Sequence, residues 1–218
     1  MEKPLTITAV CGWALPPQWF HGLIEDSFPE AKINVLTPSQ PSDNQEAEHM
    51  LKSIKADLYV GYSLGSLWLM TYQEMLPQAS VKAVLAPVLA FSRERNRGGK
   101  TAETKLKYLI RKLKRNPHDL SPLREFYAST GINFSESWFK NVPDHKTLLK
   151  GLEFLQIAPV PQIEVQKFIA LVGEEDGFLD GNELKRHLPQ LEIVPDTGHA
   201  PGPLLNRLAK ILDIASNG

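Results

Sequence analysis

The segment from Asp57 to Leu76 constrains the fold most. A strand-forming run, DLYVG, passes directly into Gly61-Tyr62-Ser63-Leu64-Gly65, and the apolar run SLWLMTYQEML follows, up to Pro77. A strand that ends at a glycine-flanked serine and restarts at once as a helix must turn sharply. Only small neighbours fit beside that serine, and the strain lifts its Oγ clear of the sheet. The motif alone is a weak signal; the strand before it and the apolar helix after it supply the context it needs.

The rest of the chain repeats the alternation of strand and helix. Residues 5–10, 33–36, 57–61, 81–86, 168–172 and 191–194 are β-branched or apolar runs expected to form strands. Helical spacing marks 46–55, 63–76 and 204–214, the last with Leu204, Leu205, Leu208, Ile211 and Leu212 on one face. The expectation is an α/β fold of right-handed βαβ units: a mostly parallel sheet of about six strands, with helices on both faces. The alternation breaks once. From about 91 to 160 there is no convincing strand, while 103–115 and 120–129 read as helices. The expected organisation is a core of residues 1–90 and 161–218. A helical lid, residues 91–160, is inserted after the fourth strand, over the strand ends where open α/β sheets bind ligands. Pro159 and Pro161 mark the return to the sheet.

With 218 residues, the chain can bury a core without a disulfide or a structural metal. Its single cysteine, Cys11, excludes a disulfide framework and a cysteine-based zinc cluster. No apolar stretch approaches the ~20 residues that span a bilayer. The N-terminal MEKPLTITAV lacks the features of a signal peptide, so a cytoplasmic location is expected. The balance of 24 Lys+Arg against 25 Asp+Glu hides a separation. Arg93, Arg95, Arg97, Lys100, Lys105, Lys107, Arg111, Lys112, Lys114 and Arg115 face only Glu94 and Glu103. That stretch nets +8 and the remainder of the chain −9.

Ser63 needs a base, and the base an orienting acid. Among six histidines, His199 stands out because PDTGHAPG places it between the last strand and the last helix; His21, His49, His118, His145 and His187 fall in polar, helical or lid segments. Asp176 closes Gly173-Glu174-Glu175-Asp176-Gly177 after the fifth strand. Glu174 and Glu175 are rival acids placed earlier in the turn. Backbone N–H groups of Leu64 and Trp13 are candidates for an oxyanion hole, Trp13 lying in the loop after the first strand. Cys11 follows a buried strand without an evident base and reads as structural. H-E-x-x-H, G-x-G-x-x-G and P-loop patterns are all missing, so no metal or cofactor is expected.

These residues resemble the α/β-hydrolase superfamily and, within it, the pimeloyl-acyl-carrier-protein methyl ester esterases of biotin synthesis. The likeness rests on Gly12-Trp13, GYSLGS, AFSRE, LLKGLEFLQ, GEEDG and GHAPG. It implies a serine esterase with Ser63, His199 and Asp176 as its triad. It further implies hydrolysis of the methyl ester of a pimeloyl chain borne on acyl carrier protein, with Phe126, Tyr127 and Thr130 in the lid stretch that contacts substrate. Cys11 stands where the family usually has histidine. The cations Lys107, Arg111, Lys112, Lys114 and Arg115 would flank the inward stripe Leu106, Leu109, Ile110 and Leu113, and attract an acidic carrier. Nucleic acid and membrane also fit that charge but leave a serine site beneath it unexplained, and a monomer is expected. Two other readings stay open: a hydrolase of small free esters or thioesters, and a non-catalytic binding protein of the same fold.

Overall fold

In the computed structural model, which describes residues 3–132, 135–158 and 168–216, every strand is short and every strand pairing parallel. The strands are β1 (Thr6–Val10), β2 (Lys32–Leu36), β3 (Leu58–Tyr62), β4 (Val81–Leu85), β5 (Ile169–Gly173) and β6 (Glu192–Val194). They lie in the order β2-β1-β3-β4-β5-β6. All six expected strands form, with ends shifted by one residue. β3 runs on to Tyr62, for example, because Tyr62 still pairs with Leu85. Every residue of β3 is buried, as an inner strand covered on both faces requires.

The helices are α1 (Pro17–Ser27), α2 (Asn44–Lys52), α3 (Leu64–Thr71), α4 (Glu103–Arg115), α5 (Ser121–Thr130), α6 (His145–Ile157), α7 (Gly181–His187) and α8 (Pro201–Ser216). Only the connection through α1 steps leftward in the strand order; those through α2, α3 and α7 step the other way. Right-handed crossovers then put α1 on one face and α2, α3 and α7 on the other, and α8 packs against α1. The reversal between β1 and β3 is a topological switch point, where loops leave the strand ends in opposite directions and open a crevice.

Local chemistry sets the helix ends. Asp43 caps α2 by accepting from the N–H groups of Gln45 and Glu46, so the helix starts two residues before the expected 46. α3 ends at Thr71 rather than running to Leu76; a 3₁₀ turn, Gln73–Met75, completes the path to Pro77. α4 has the expected bounds and buries Leu106, Ile110 and Leu113, with Leu109 half-buried. α4, α5 and α6 follow β4 and precede β5, and α6 packs on α4. The segment leading into α4 is paired with the loop after β5: Lys100 N–H donates to Phe178 O at 2.8 Å and Asp180 N–H to Gly98 O at 2.7 Å. Pro159, Pro161 and the expected boundary at 160 lie outside the described residues. Among the described residues, no helix is long and apolar enough to cross a membrane, and no group of three His, Cys, Asp or Glu could hold a metal.

Candidate active site

Ser63 occupies the turn between β3 and α3 with φ 52° and ψ −115°, a region that residues with side chains avoid. Holding such a residue costs on the order of 1–3 kcal/mol, which the surrounding contacts must offset. Ser63 N–H donates to Leu85 O at 3.0 Å, and its carbonyl accepts from Ser66 N–H and Leu67 N–H. The two glycines of the motif have no substitute. A Cβ on Gly65 would lie 2.1 Å from Val10 O, and one on Gly61 would lie 2.6 Å from Gly65 O. α3 can therefore start directly against β1, with the serine at its N-terminal end.

His199 and Asp176 arrive from the loops after β6 and β5. His199 Nδ1 lies 2.7 Å from Asp176 Oδ2, and Nε2 lies 3.1 Å from Ser63 Oγ. Asp176 is fully buried, and its other oxygen accepts from Phe178 N–H at 2.8 Å and Leu179 N–H at 3.0 Å. An acceptor fixed at Nδ1 keeps the proton of a neutral imidazole there and leaves Nε2 free to accept from the serine hydroxyl. Glu174 and Glu175 are exposed, so the carboxylate that reaches His199 is that of Asp176. The other histidines lie elsewhere: His145 meets Leu113 O, His187 meets Arg97, His21 is half-buried, and His49 and His118 are exposed.

The loop after β1 faces the elbow. Among the described residues, neither the Trp13 nor the Leu64 backbone N–H has a hydrogen-bond acceptor. The Trp13 indole N–H donates to Leu148 O of α6 at 2.8 Å, and its ring meets Phe126 of α5 edge-on at 4.8 Å. Trp13, Phe91, Phe126, Phe178, Leu106 and Leu152 line an apolar cavity of about 100 Å³ beneath α4. It adjoins the triad through Phe178, whose ring lies 4.9 Å from that of His199. Lys105 and Glu125 stand on its wall. Of the three lid residues expected at substrate, only Phe126 lines this cavity. Tyr127 is buried, with its hydroxyl donating to Ala14 O; the Thr130 hydroxyl donates to Tyr127 O at the end of α5. A helix can present only one face, and these two residues belong to the face packed on the core. A larger cleft of about 850 Å³ opens at the amino ends of β4 and β5, at the opposite end of the sheet from Ser63.

Several supporting residues escape sequence reasoning. Tyr62 sits wholly buried beside the serine and donates from its hydroxyl to His199 O at 2.7 Å, bracing the histidine loop. Burial, with Asp176 and Cys11 adding, pushes its phenol well above the usual range and keeps it a donor. Ser66 donates to Ser63 O at 2.5 Å and accepts from Val88 N–H. Lys100 donates to the backbone carbonyl of Asp176 at 2.7 Å. Nothing in a Tyr, Ser or Lys at these positions announces such roles, because His199 O, Val88 N–H and Asp176 O are all distant from them in sequence. Cys11 is buried, and burial pushes its thiol up to about 12, so it stays protonated and inert at neutral pH.

The cationic stretch is not a bare field. Lys112 reaches Glu125 at 3.2 Å and Asp119 at 3.9 Å; Lys114 pairs with Glu153 and Lys107 with Glu103, each at 2.7 Å. Lys114 and Lys150 hold the Glu153 carboxyl below its usual range. Arg95 donates to Ala158 O at 2.6 Å, and Arg97 meets His187. Arg111, exposed, donates to the Lys107 carbonyl of its own helix, and Arg115 is exposed beside it. Among the described residues, Lys105, Arg111 and Arg115 make no ion pair.

The fold as a whole finds counterparts among solved structures. The chain is similar to an esterase from Exiguobacterium antarcticum, with a TM-score of 0.72 at 12% identity over 100% of this chain and 94% of that one. The chain has the α/β-hydrolase fold. A lipase-esterase related protein from Clostridium acetobutylicum gives 0.65 at 13% identity over 98% and 95% of the two chains. The bottromycin epimerase BotH, in complex with bottromycin A2, gives 0.63 at 14% over 97% and 92%. At these identities the likeness carries the fold alone, and an epimerase shares it with esterases. No protein-family model matches the chain, and no curated protein matches it either.

Proposed function

We propose that the protein is a serine hydrolase of carboxylic esters. The observation that carries this reading is the relay of Ser63 Oγ, His199 and Asp176 at a strained elbow. His199 Nε2 takes the hydroxyl proton as Ser63 Oγ attacks the ester carbonyl carbon, while Asp176 stabilises the imidazolium. Leu64 and Trp13 N–H groups receive the oxyanion. The intermediate collapses, the C–O bond to the alcohol breaks, and His199 returns the proton to the leaving alcohol. Water, deprotonated by His199, then attacks the acyl-serine and releases the acid and Ser63. Ser63→Ala should lower kcat for a p-nitrophenyl ester by on the order of 10⁴-fold or more. Turnover that survives the substitution overturns the Ser63 mechanism, and absence of turnover in the unaltered chain makes the protein a non-catalytic member of the fold.

The finer reading is the methyl ester of a pimeloyl chain on acyl carrier protein, supported by the sequence motifs and by Lys105, Arg111 and Arg115, which pair with no carboxylate among the described residues. A second reading, a hydrolase of small free esters, is favoured by the roughly 100 Å³ cavity and by the pairing of Lys107, Lys112 and Lys114 with acids. Turnover of the carrier-bound ester against the free methyl ester, at low and high salt, separates them. A preference for the carrier that salt erases supports the first reading, and equal turnover supports the second.

A further inference from the structure

The loop that faces the elbow is itself strained. Gly12, Trp13, Ala14 and Leu15 form a turn closed by Leu15 N–H on Gly12 O at 3.5 Å. Ala14, its third residue, has φ 62°. That is the position where a type II turn requires positive φ and glycine is the usual occupant. An alanine there needs outside support. The support comes from the lid, on both sides of the turn. The Tyr127 hydroxyl of α5 donates to the Ala14 carbonyl, and the Trp13 indole is fixed by Leu148 O of α6 and by the edge of Phe126. α6 comes this close because Gly151 has no side chain; a Cβ there would lie 2.8 Å from Trp13 Cδ1. All of these groups are buried or nearly so.

We infer that Tyr127 is a positioning residue: its hydroxyl holds Ala14 at positive φ and thereby aims the Trp13 backbone N–H at the oxyanion, so that the hole is complete only with the lid seated. This inference rests on the esterase reading for its kinetic consequence, while the clamp itself is open to a test that needs no turnover. Tyr127 does not line the cavity; its ring packs on Phe126, Trp138 and Phe139, and its hydroxyl is the group that reaches the loop.

The experiment compares Tyr127→Phe, Tyr127→Phe/Ala14→Gly, Ser63→Ala and the unaltered chain. The probes are p-nitrophenyl acetate turnover and amide hydrogen exchange of the peptide spanning residues 12–16. Tyr127→Phe should lower kcat by about tenfold with KM little changed, since a slightly misaimed donor hurts the transition state more than the bound ester. It should also speed exchange in the 12–16 peptide several-fold, with peptides of β3 unaffected. Glycine adopts positive φ without strain, so the added Ala14→Gly should return most of the lost kcat. A merely structural tyrosine would not be rescued that way. Unchanged kcat in Tyr127→Phe, a loss that glycine does not restore, or unchanged exchange each overturn the inference. Turnover that persists in Ser63→Ala sinks the esterase reading instead, and the exchange measurement then still decides whether Tyr127 holds the loop.

Discussion

The sheet and the lid hold their functional residues by different means. At the elbow, backbone fixes the side chains: Ser63 is locked between Leu85 O and the start of α3, and Asp176 has one oxygen on two backbone N–H groups. In the lid, side chains do the fixing. Phe126 rests on Trp13, Tyr127 on Ala14, Lys114 on Glu153 and Lys112 on Glu125. On the proposed esterase reading, the sheet then carries the chemistry and the lid segment is the part that would choose a substrate. Loss of Ser63, the largest expected effect, removes the chemistry while leaving both halves folded.

Gly65→Ala tests the backbone half. With Val10 O and Cys11 O at 2.1 and 2.8 Å from the new Cβ, β1 and α3 must part. A loss of about 3 kcal/mol in urea unfolding is expected, with kcat falling in the same variant because Ser63 moves with α3. A variant of unaltered stability would show that the elbow is looser than its contacts require.

That difference also explains what could be read from the sequence. The six strands are legible because buried parallel strands are continuous apolar runs, and the approach of Ser63, His199 and Asp176 to one another because their loops follow strand ends in a set order. α1, α6 and α7 go unmarked for local reasons. α1 buries only Phe20 and Ile24, α6 carries the weak helix former Gly151 at its centre, and α7 has seven residues with Leu184 alone buried. The lid misleads more. A net charge of +8 over residues 93–115 is a sum along the chain, whereas Asp119, Glu125 and Glu153 approach it in space from outside that stretch. Phe126, Tyr127 and Thr130 share one short segment, yet the helix turns only the first toward the cavity.

Phe126→Ala sharpens the comparison from the lid side. It removes a ring from a cavity that Trp13, Phe91, Leu106, Leu152 and Phe178 also line, and leaves the Ser63–His199–Asp176 contacts in place. The ratio of kcat/KM for a longer against a shorter p-nitrophenyl ester should rise by about tenfold, the scale set by one or two methylenes in an apolar pocket. Equal losses at every chain length would mean that the ring only supports Trp13.

The smallest expected effect separates charge from structure within α4 itself. Arg111→Glu/Arg115→Glu reverses two exposed cations that hold no carboxylate among the described residues, so α4 should keep its seat. KM for a carrier-bound methyl ester should rise about fivefold at low salt and converge with the unaltered chain at high salt, because a rim charge acts mainly on encounter. The free ester should be unaffected. Lys112→Glu is the contrast: it faces Glu125 and Asp119, so reversal sets like charges together and loosens α4 from α5. That variant should slow both esters alike, with no salt recovery. If the arginine pair leaves the carrier-bound ester untouched, the lid cations are an ordinary solvated face. The choice of substrate would then lie with the cavity around Phe126 alone.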